Sequence, residues 1–369
     1  MKIRILKSLL MLPVVFALSS CHVGRFFIYN YADIKDYRKF PQVVVQNPDN
    51  PWHFSQGQFE TRPTLPGYLG EEYGDFDSFL DETGSMGFLV IRNDSILFEH
   101  YGEDYDESSV FTSFSVAKSF VSAMVGIAVE KGYISSVHEP ITKWLPELKG
   151  EGFDRITVEH LLNMRSGIFY REAYSNPFME MPKYYYGRNL LKYVKKLKIK
   201  EDPGQNFDYI SVNSLLLSLI IERSSGKRLN EFLEMEIWKP IGMEFPATLN
   251  TDSKKHDTFK GYCCVNARAR DFAKFGRLYL NKGNWNGKQI VPEDWVHIST
   301  TFIQSPQLPQ GFHYTYQWRV MPSGSYMARG ILGQFIYCNP AKNIIIVRLG
   351  KKVKDFNWAV FFEEVAGKY

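Results

Sequence analysis

Two places in the sequence carry a serine followed three residues later by a lysine, a spacing that can create an activated nucleophile. The first is Ser115 with Lys118, and the second is Ser224 with Lys227. On a helix, residues three apart lie one turn along the same face, so the lysine amine can reach the serine hydroxyl. A desolvated lysine favours its neutral form and can then accept the hydroxyl proton, which leaves an oxygen able to attack a carbonyl carbon.

The two pairs lie at opposite ends of their predicted helices. Ser115 opens an apolar stretch that runs to Lys131, whereas Ser224 follows the apolar stretch Asn213–Arg223. A helix N-terminus carries partial positive charge and free N–H groups, which stabilise a developing anion, whereas a C-terminus does not. We therefore predict that Ser115 is a nucleophile and Lys118 its base. A structural alternative, an N-cap serine beside a snorkelling lysine, fits the same residues.

The elements predicted around these residues place strands towards both ends of the chain and helices in the middle. Met86–Ile91 and Ser95–His100 form an expected hairpin, and further strands are expected between residues 314 and 349. Asn357–Gly367 is expected to close the chain as a helix. This grouping indicates an α/β (α+β) fold, in which terminal helices flank an antiparallel β-sheet and a mostly helical lobe is inserted.

The N-terminus has the features of an export signal. Three basic residues precede an apolar run too short to span a membrane, and Leu18-Ser-Ser-Cys21 resembles a bacterial lipobox. We expect a signal peptide at 1–20, a lipidated tether and wrapping segment at 21–70 that begins with Cys21, and the catalytic domain at 71–369. The chain would then be an envelope lipoprotein on the periplasmic or surface side of a membrane. The alternative is a signal peptide in which the cysteine occurs by chance.

Charge and cysteine pattern argue against several function classes. The 369-residue chain has a formal net charge of +4, which falls to about +1 once the three basic residues of the signal are removed. Neither nucleic acid nor an anionic membrane surface is therefore an expected partner, and membrane contact is expected through the lipid anchor only. No C-x-x-C or H-E-x-x-H motif occurs, so nothing supports a metal or another cofactor. After Cys21, three cysteines remain: Cys263 and Cys264 are neighbours, which rarely bridge each other, and the third is Cys338.

Five stretches between about residue 85 and residue 350 occur in an order found in one protein family. They are Phe111-Thr-Ser-Phe-Ser-Val-Ala-Lys-Ser-Phe, Ile156-Thr-Val-Glu-His-Leu-Leu-Asn-Met-Arg-Ser-Gly-Ile, Pro203-Gly-Gln-Asn-Phe-Asp-Tyr-Ile-Ser, Ala269-Arg-Asp-Phe-Ala-Lys-Phe-Gly and Gly330-Ile-Leu-Gly-Gln. Together they resemble the β-lactamase-related serine hydrolases, which include class C β-lactamases, D-alanyl-D-alanine carboxypeptidases, carboxylesterases and 6-aminohexanoate-dimer hydrolases. The loop from Met164 through Glu172-Ala-Tyr174 most resembles the last of these branches.

The resemblance implies a phenol and a strand beside the nucleophile. In the family, a Tyr-x-Asn element supplies a phenol that shuttles the proton, and it falls here on Tyr209, with Ser211 in place of the asparagine. A Lys-Thr-Gly or His-x-Gly element on a strand falls on Ala328-Arg329-Gly330, which lacks the first cation. Strand alternation is expected to turn the Arg329 side chain to the face opposite Ala328, where it could not replace that cation.

The resemblance also implies an oxyanion hole and a leaving-group contact. Gly330 suits a close approach, and the backbone N–H of Ile331 is expected to complete an oxyanion hole with that of Ser115. Tyr174 is expected to contact the leaving group from a loop.

The implied activity is hydrolysis of a small ester, amide or peptide-like substrate through a Ser115 acyl-enzyme. Lys118 and Tyr209 would act as general base and acid, without a cofactor. Because Ala328 supplies no cation, neutral substrates are expected to be preferred to penicillins. Two alternatives stay open, a D,D-peptidase or β-lactamase, and a non-hydrolytic penicillin-binding-like sensor lipoprotein.

Overall fold

The computed structural model describes residues 22–29, 31–57, 62–304, 311–353 and 356–369. Strands and α-helices within these ranges are numbered in chain order. The strands are β1 (Gln42–Val45), β2 (Ser55–Gln56), β3 (Ser85–Arg92), β4 (Ser95–Tyr101), β5 (Phe111–Thr112), β6 (Ala247–Asn250), β7 (Val265–Ala267), β8 (Asn284–Trp285), β9 (Lys288–Gln289), β10 (His313–Thr315), β11 (Trp318–Val320), β12 (Tyr326–Gly330), β13 (Gln334–Asn339) and β14 (Ile344–Gly350). The helices are α1 (His22–Tyr29), α2 (Gly67–Tyr73), α3 (Phe76–Glu82), α4 (Ala117–Glu130), α5 (Val158–Leu162), α6 (Glu180–Tyr186), α7 (Leu190–Val194), α8 (Ser211–Ser225), α9 (Leu229–Leu233), α10 (Ala269–Leu280), α11 (Glu293–Thr300) and α12 (Trp358–Lys368).

An eight-stranded sheet forms one half of the molecule. Its strand order is β10-β11-β12-β13-β14-β3-β4-β2, so strands from the two ends of the chain meet where β14 pairs with β3. Every neighbouring pair is antiparallel except β2 with β4. The predicted antiparallel sheet with flanking terminal helices is confirmed.

The two faces of this sheet pack against different layers. On one face, α2, α3 and α12 bury an aromatic cluster in which the rings of Phe79 and Phe361 lie 4.8 Å apart. On the other face, α10 lies so close to the sheet that a Cβ on Gly276 would stand 3.0 Å from methyl carbons of Ile336 and Ile345. The sheet is therefore covered on both sides, and its central strand β14 is buried along its whole length.

A helical lobe is inserted between β5 and β10, and α4 lies at its centre. The residues of α4 from Ala117 to Ala128 are all buried, which fits a helix that is apolar around most of its circumference. Gly126 lets Trp295 of α11 pack directly on the helix backbone, because a Cβ there would lie 2.6 Å from the indole. The predicted helix from Ser115 is confirmed, and it begins with a 3₁₀ turn at Phe114–Val116.

The segment after the predicted signal peptide packs against the helical lobe. β1 pairs with β6 in a four-stranded sheet of order β1-β6-β7-β5, and Phe26, Phe40 and Phe54 are buried in the core. Cys21 and residues 1–20 lie outside the described residues. Among the helices that are described, none combines the length and the apolar character needed to cross a bilayer.

Candidate active site

Ser115 lies in the turn that leads into α4. The preceding residue, Phe114, has a φ of 42°, a left-handed conformation that non-glycine residues rarely adopt. Ser113 is fixed to β7 from both sides, because its N–H donates to the Val265 carbonyl at 2.9 Å and its Oγ accepts from the Val265 N–H at 3.0 Å. The turn therefore holds the Ser115 hydroxyl at the N-terminus of a buried helix, as the sequence predicted.

The Lys118 amine is buried directly beneath that hydroxyl. Its side chain is 1% exposed, and Nζ donates to Ser115 Oγ at 2.9 Å, to Ser211 Oγ at 3.1 Å and to the Tyr262 carbonyl at 2.9 Å. An ammonium group has three N–H donors, so these three acceptors match its capacity. All three are neutral oxygens, which do not supply the compensating negative charge that a buried ammonium usually has.

Tyr209 completes the predicted trio. The Lys118 amine lies 5.2 Å from the centre of its ring. Burial opposes ionisation of the phenol, but the positive charges of Lys118 and Arg319 and an interaction with the Ser115 hydroxyl outweigh burial, so the pKa of Tyr209 lies below its ordinary value. A lowered pKa makes it easier for the phenol to lose its proton and so to take part in proton transfer.

Glu172 is a member of the site that the sequence reasoning missed as a functional residue. Its carboxylate accepts hydrogen bonds from the Ser211 N–H at 2.8 Å, from Ser211 Oγ at 2.5 Å and from the Tyr174 phenol at 2.8 Å. Because the Ser211 hydroxyl donates to Glu172, its oxygen is left to accept from Lys118. Glu172 and Ser211 are 39 residues apart in sequence, so no local spacing links them. The only signal was the Glu172-Ala-Tyr174 resemblance.

Strand β12 ends beside the nucleophile. A Cβ on Gly330 would lie 2.5 Å from the Ser113 carbonyl and 3.1 Å from the Ser115 nitrogen, so any side chain there would force the strand away from the turn. Ile331 follows and lines the same cavities as Ser115. The structure therefore brings together the backbone segments predicted to form the oxyanion hole. Ala328 is buried in the core, opposite Ile336 on β13.

Two cavities meet at Ser115. A wide cleft of about 500 Å³ runs past Glu172, Tyr209 and the end of β12. A narrow cavity extends to the other side, and its lining is mainly apolar and aromatic. Ser115, Tyr174 and Ile331 line both. The other residues of the narrow cavity are Ala32, Phe114, Met181, Pro182, Tyr185, Tyr186, Ser211, Tyr262 and Cys263.

The Arg329 side chain reaches the cleft, contrary to the expectation from strand alternation. Its guanidinium lies 5.8 Å from the ring centre of Phe335, on the sheet face opposite Ala328, as strand alternation predicted. The conclusion that it leaves the cleft without a cation is nevertheless wrong, because its long side chain lines the same cleft as Ser115. Arg319 on the adjacent strand also lines the cleft. Burial and the positive charge of Arg319 lower the pKa of Arg329, and neither arginine has an ion-pair partner in the part of the chain that the structure describes.

Neighbouring cysteines rarely bridge each other, but Cys263 and Cys264 do. The two sulfurs form a disulfide, and Cys263 lines the narrow cavity. Cys264 has a φ of 75°, so the backbone is left-handed at this residue rather than extended. An extended chain points successive side chains to opposite sides, whereas this conformation brings them to one side. Cys338 is a buried free cysteine.

Comparison with known proteins places the chain in a family. Residues 76–357 match the Beta-lactamase family model. The chain is 28% identical over 301 residues to 6-aminohexanoate-dimer hydrolase from Paenarthrobacter ureafaciens, with 76% of each protein covered. Its fold superposes, with a TM-score of 0.78 and 24% identity, on a Bacillus anthracis protein whose name provisionally assigns it to the same hydrolases, covering 89% of this chain and 91% of that one. A penicillin-binding protein from Bacillus halodurans shares the fold at a TM-score of 0.63 and 16% identity, covering 82% and 99%. The chain therefore belongs to the beta-lactamase family of serine hydrolases.

Proposed function

We propose that this protein hydrolyses small esters or amides through an acyl-enzyme on Ser115. The observation that carries the proposal is the contact between Ser115 Oγ and the buried Lys118 amine at 2.9 Å, with the Tyr209 ring centre 5.2 Å from the same amine. A nucleophile in contact with a buried amine, beside a phenol of lowered pKa, is an arrangement suited to acyl transfer.

In the proposed reaction, the Ser115 proton passes to Lys118 with help from Tyr209 while Oγ attacks the carbonyl carbon. The tetrahedral intermediate carries its negative charge on the former carbonyl oxygen, which the N–H groups of Ser115 and Ile331 would stabilise. The proton then moves to the leaving alcohol or amine as the ester or amide bond breaks. Water, deprotonated by the same two groups, attacks the acyl-enzyme and releases the acid.

The two cavities suggest which substrates would fit. The narrow cavity, about 20 Å³ in volume, offers apolar contacts close to Ser115 but no room for a long chain. The wide cleft offers Arg319 and Arg329 without acidic partners among the described residues. Guanidinium groups bind carboxylates through two parallel hydrogen bonds. The relative from Paenarthrobacter is named for a dimer of aminohexanoate. We therefore propose a linear ester or amide that carries an aliphatic arm and a carboxylate, instead of the neutral substrate expected from Ala328.

The first test compares two serines. Ser115→Ala is expected to lower turnover of p-nitrophenyl esters by about 10³-fold or more and to abolish labelling by a fluorophosphonate. Ser224→Ala is the matched control, because Ser224 lies in the last turn of α8 and its hydroxyl donates to the Ile221 carbonyl at 3.3 Å. Equal losses in both variants, with both folded, would refute the assignment of the nucleophile.

The second test compares two substrates of equal length. p-Nitrophenyl hydrogen succinate carries a carboxylate where p-nitrophenyl butyrate carries a methyl group. We expect kcat/KM to favour the succinate, and Arg329→Gln to reduce that preference by about ten- to a hundredfold, the value of a charge-assisted hydrogen bond. An unchanged preference would remove the argument for the carboxylate.

The remaining alternatives are outcomes of the same assays. Hydrolysis of nitrocefin or of D-alanyl-D-alanine peptides well above the ester rates would favour a β-lactamase or D,D-peptidase. Covalent labelling of Ser115 without turnover of any ester, amide or β-lactam would favour a sensor lipoprotein.

We also propose that the protein is exported and lipidated at Cys21, on the basis of the lipobox. Palmitate incorporation that persists in Cys21→Ala would argue against lipidation at this residue.

A further inference from the structure

A four-residue segment before and within β7 contacts both sides of the nucleophile turn. The Tyr262 carbonyl, at the start of the segment, accepts a hydrogen bond from the Lys118 amine at 2.9 Å. Val265, at its end, exchanges two hydrogen bonds with Ser113, at 2.9 and 3.0 Å. The segment therefore fixes the direction of the amine and the position of the turn that carries Ser115.

The two residues between these contacts are Cys263 and Cys264, which the disulfide links to each other. Cys264 has a φ of 75°, a conformation that residues with a Cβ rarely adopt. A bond between adjacent side chains closes a small ring that includes the intervening peptide, so it restricts the backbone torsions at both cysteines. Without that ring, Cys264 is free to return to a negative φ, which would change the direction of the Tyr262 carbonyl relative to Val265.

We propose that the Cys263–Cys264 disulfide is a positioning element of the active site, which holds the Tyr262 carbonyl on Lys118 and Val265 on Ser113. Opening the disulfide would then lower the rate of the chemical step. The activity part of this inference rests on the proposed function. The disulfide does not contact the reacting atoms and acts through Lys118 and Ser113.

A dithiol that reaches the Cys263 sulfur would open the disulfide. Cys263 lines the narrow cavity beside Ser115, but it is only 6% exposed and the cavity has a volume of about 20 Å³, so reduction requires local opening of the structure. In the exchange, a thiolate of the dithiol attacks one sulfur and the S–S bond breaks. The second thiol of the reagent then closes to a cyclic disulfide. Two electrons and two protons pass to the protein, which gains the thiols of Cys263 and Cys264.

The experiment measures thiols and kinetics on the same full-length samples. Alkylation followed by mass spectrometry counts thiols before and after dithiothreitol, while kcat and KM are measured with p-nitrophenyl butyrate. We expect reduction to add two thiols and to lower kcat about ten- to a hundredfold, as expected for a small misplacement of catalytic groups. KM should change less than about twofold, because the cavity walls remain. Reoxidation should restore kcat.

Variants separate positioning from a general loss of structure. Cys263→Ser with Cys264→Ser should have the low kcat of the reduced enzyme and no response to dithiothreitol. Cys263→Ser with Cys264→Gly should recover part of that kcat, because glycine adopts a positive φ without penalty. Cys338→Ser is the control, since this free cysteine lies against α10 and should leave both kcat and dithiol sensitivity unchanged.

Two results would overturn the inference, and they differ from failure of the proposed function. The first is a gain of two thiols on reduction with unchanged kcat. The second is that Cys263 and Cys264 already react as thiols in protein that has not been treated with dithiothreitol. If the protein with its disulfide intact turns over no substrate at all, the proposed function fails. Amide hydrogen exchange at Val265 then tests the positioning alone, because its N–H should lose protection on reduction if the disulfide holds it on Ser113.

Discussion

Lys118 and Lys274 are both buried, but their surroundings differ. Lys118 in α4 is 1% exposed and donates only to neutral oxygens. Lys274 in α10 is fully buried, lies 3.2 Å from the Glu244 carboxylate and 4.0 Å from that of Asp271, and donates to the backbone carbonyls of Trp52 and Gly242. One amine has hydroxyls around it that can exchange protons, and the other has carboxylates that neutralise its charge.

The contrast shows how a similar burial can serve chemistry or stability. Around Lys274, burial raises the pKa of Asp271 to about 7, and burial also lowers the pKa of Lys274, although both carboxylates oppose the second shift. In this cluster, the lysine and the two carboxylates therefore balance one another's charge. Around Lys118, the nearest carboxylate in the hydrogen-bond chain is Glu172, which acts through the Ser211 hydroxyl. The Lys118 amine therefore contacts the Ser115 hydroxyl without a carboxylate directly beside it to neutralise its charge.

The largest expected effect follows from removal of the Lys118 amine. Lys118→Met keeps the length of the side chain, and it should lower turnover by about 10³-fold or more, because Ser115 loses its base. The melting temperature should change little, since an apolar side chain fills the same buried space. Ester hydrolysis and a thermal melt on the same preparation test both parts. A folded variant with substantial activity would show that the amine is not the base.

Lys274→Met should have the opposite effects. Removing the cation leaves Asp271 buried without an ion-pair partner among the described residues, and leaves Glu244 with only the exposed His53 at 3.2 Å. This loss costs about 3–5 kcal/mol of unfolding free energy. The kcat of the remaining folded protein should stay within about twofold of the wild type, because Lys274 does not line the cleft. Denaturant unfolding gives the first value, and active-site titration with fluorophosphonate corrects the second. Loss of kcat per labelled site would contradict the division of roles.

The smallest effect concerns the charge that Arg319 places near Tyr209. This charge helps to lower the pKa of the phenol, so Arg319→Gln should raise that pKa. The acidic limb of kcat/KM against pH, where activity appears as the phenol loses its proton, should then move to higher pH. Arg319→Lys keeps the charge and should keep the limb in place. If the acidic limb does not move in Arg319→Gln either, it reports the titration of a group other than Tyr209.

Much of the fold could be predicted from local patterns. Apolar stretches identified α4 and α8, and the β3–β4 hairpin followed from two β-rich runs around a polar turn. The first turn was less predictable, because the helix expected from Ser115 begins with a 3₁₀ turn at Phe114–Val116 and continues as α4 from Ala117. An apolar pattern identifies a helix, but it does not determine the geometry of its first turn.

The site was predicted where one element carries two groups and missed where the groups come from distant elements. The helix-end argument separated Ser115 from Ser224, and the family resemblance supplied Tyr209. The bond between Glu172 and Ser211, and the presence of Arg319 near Arg329, depend on three-dimensional contacts that no spacing encodes. Alternation gave the correct face for Arg329, but it could not say where a long side chain ends.

If Cys21 carries a lipid, the packing of α1 determines how far the narrow cavity lies from the membrane. α1 begins at His22 and packs against α6, where the ring centres of Phe26 and Tyr186 lie 5.8 Å apart. α6 in turn lines the narrow cavity with Met181, Pro182, Tyr185 and Tyr186. A lipid on Cys21 would then be joined to the catalytic lobe through α1, without a long linker between them. Phe27 and Ile28, which are 69% and 60% exposed, would then face the lipid surface. The narrow cavity would stay within a few helix diameters, each about 10 Å, of the bilayer, and the enzyme would sample only molecules that diffuse close to that surface.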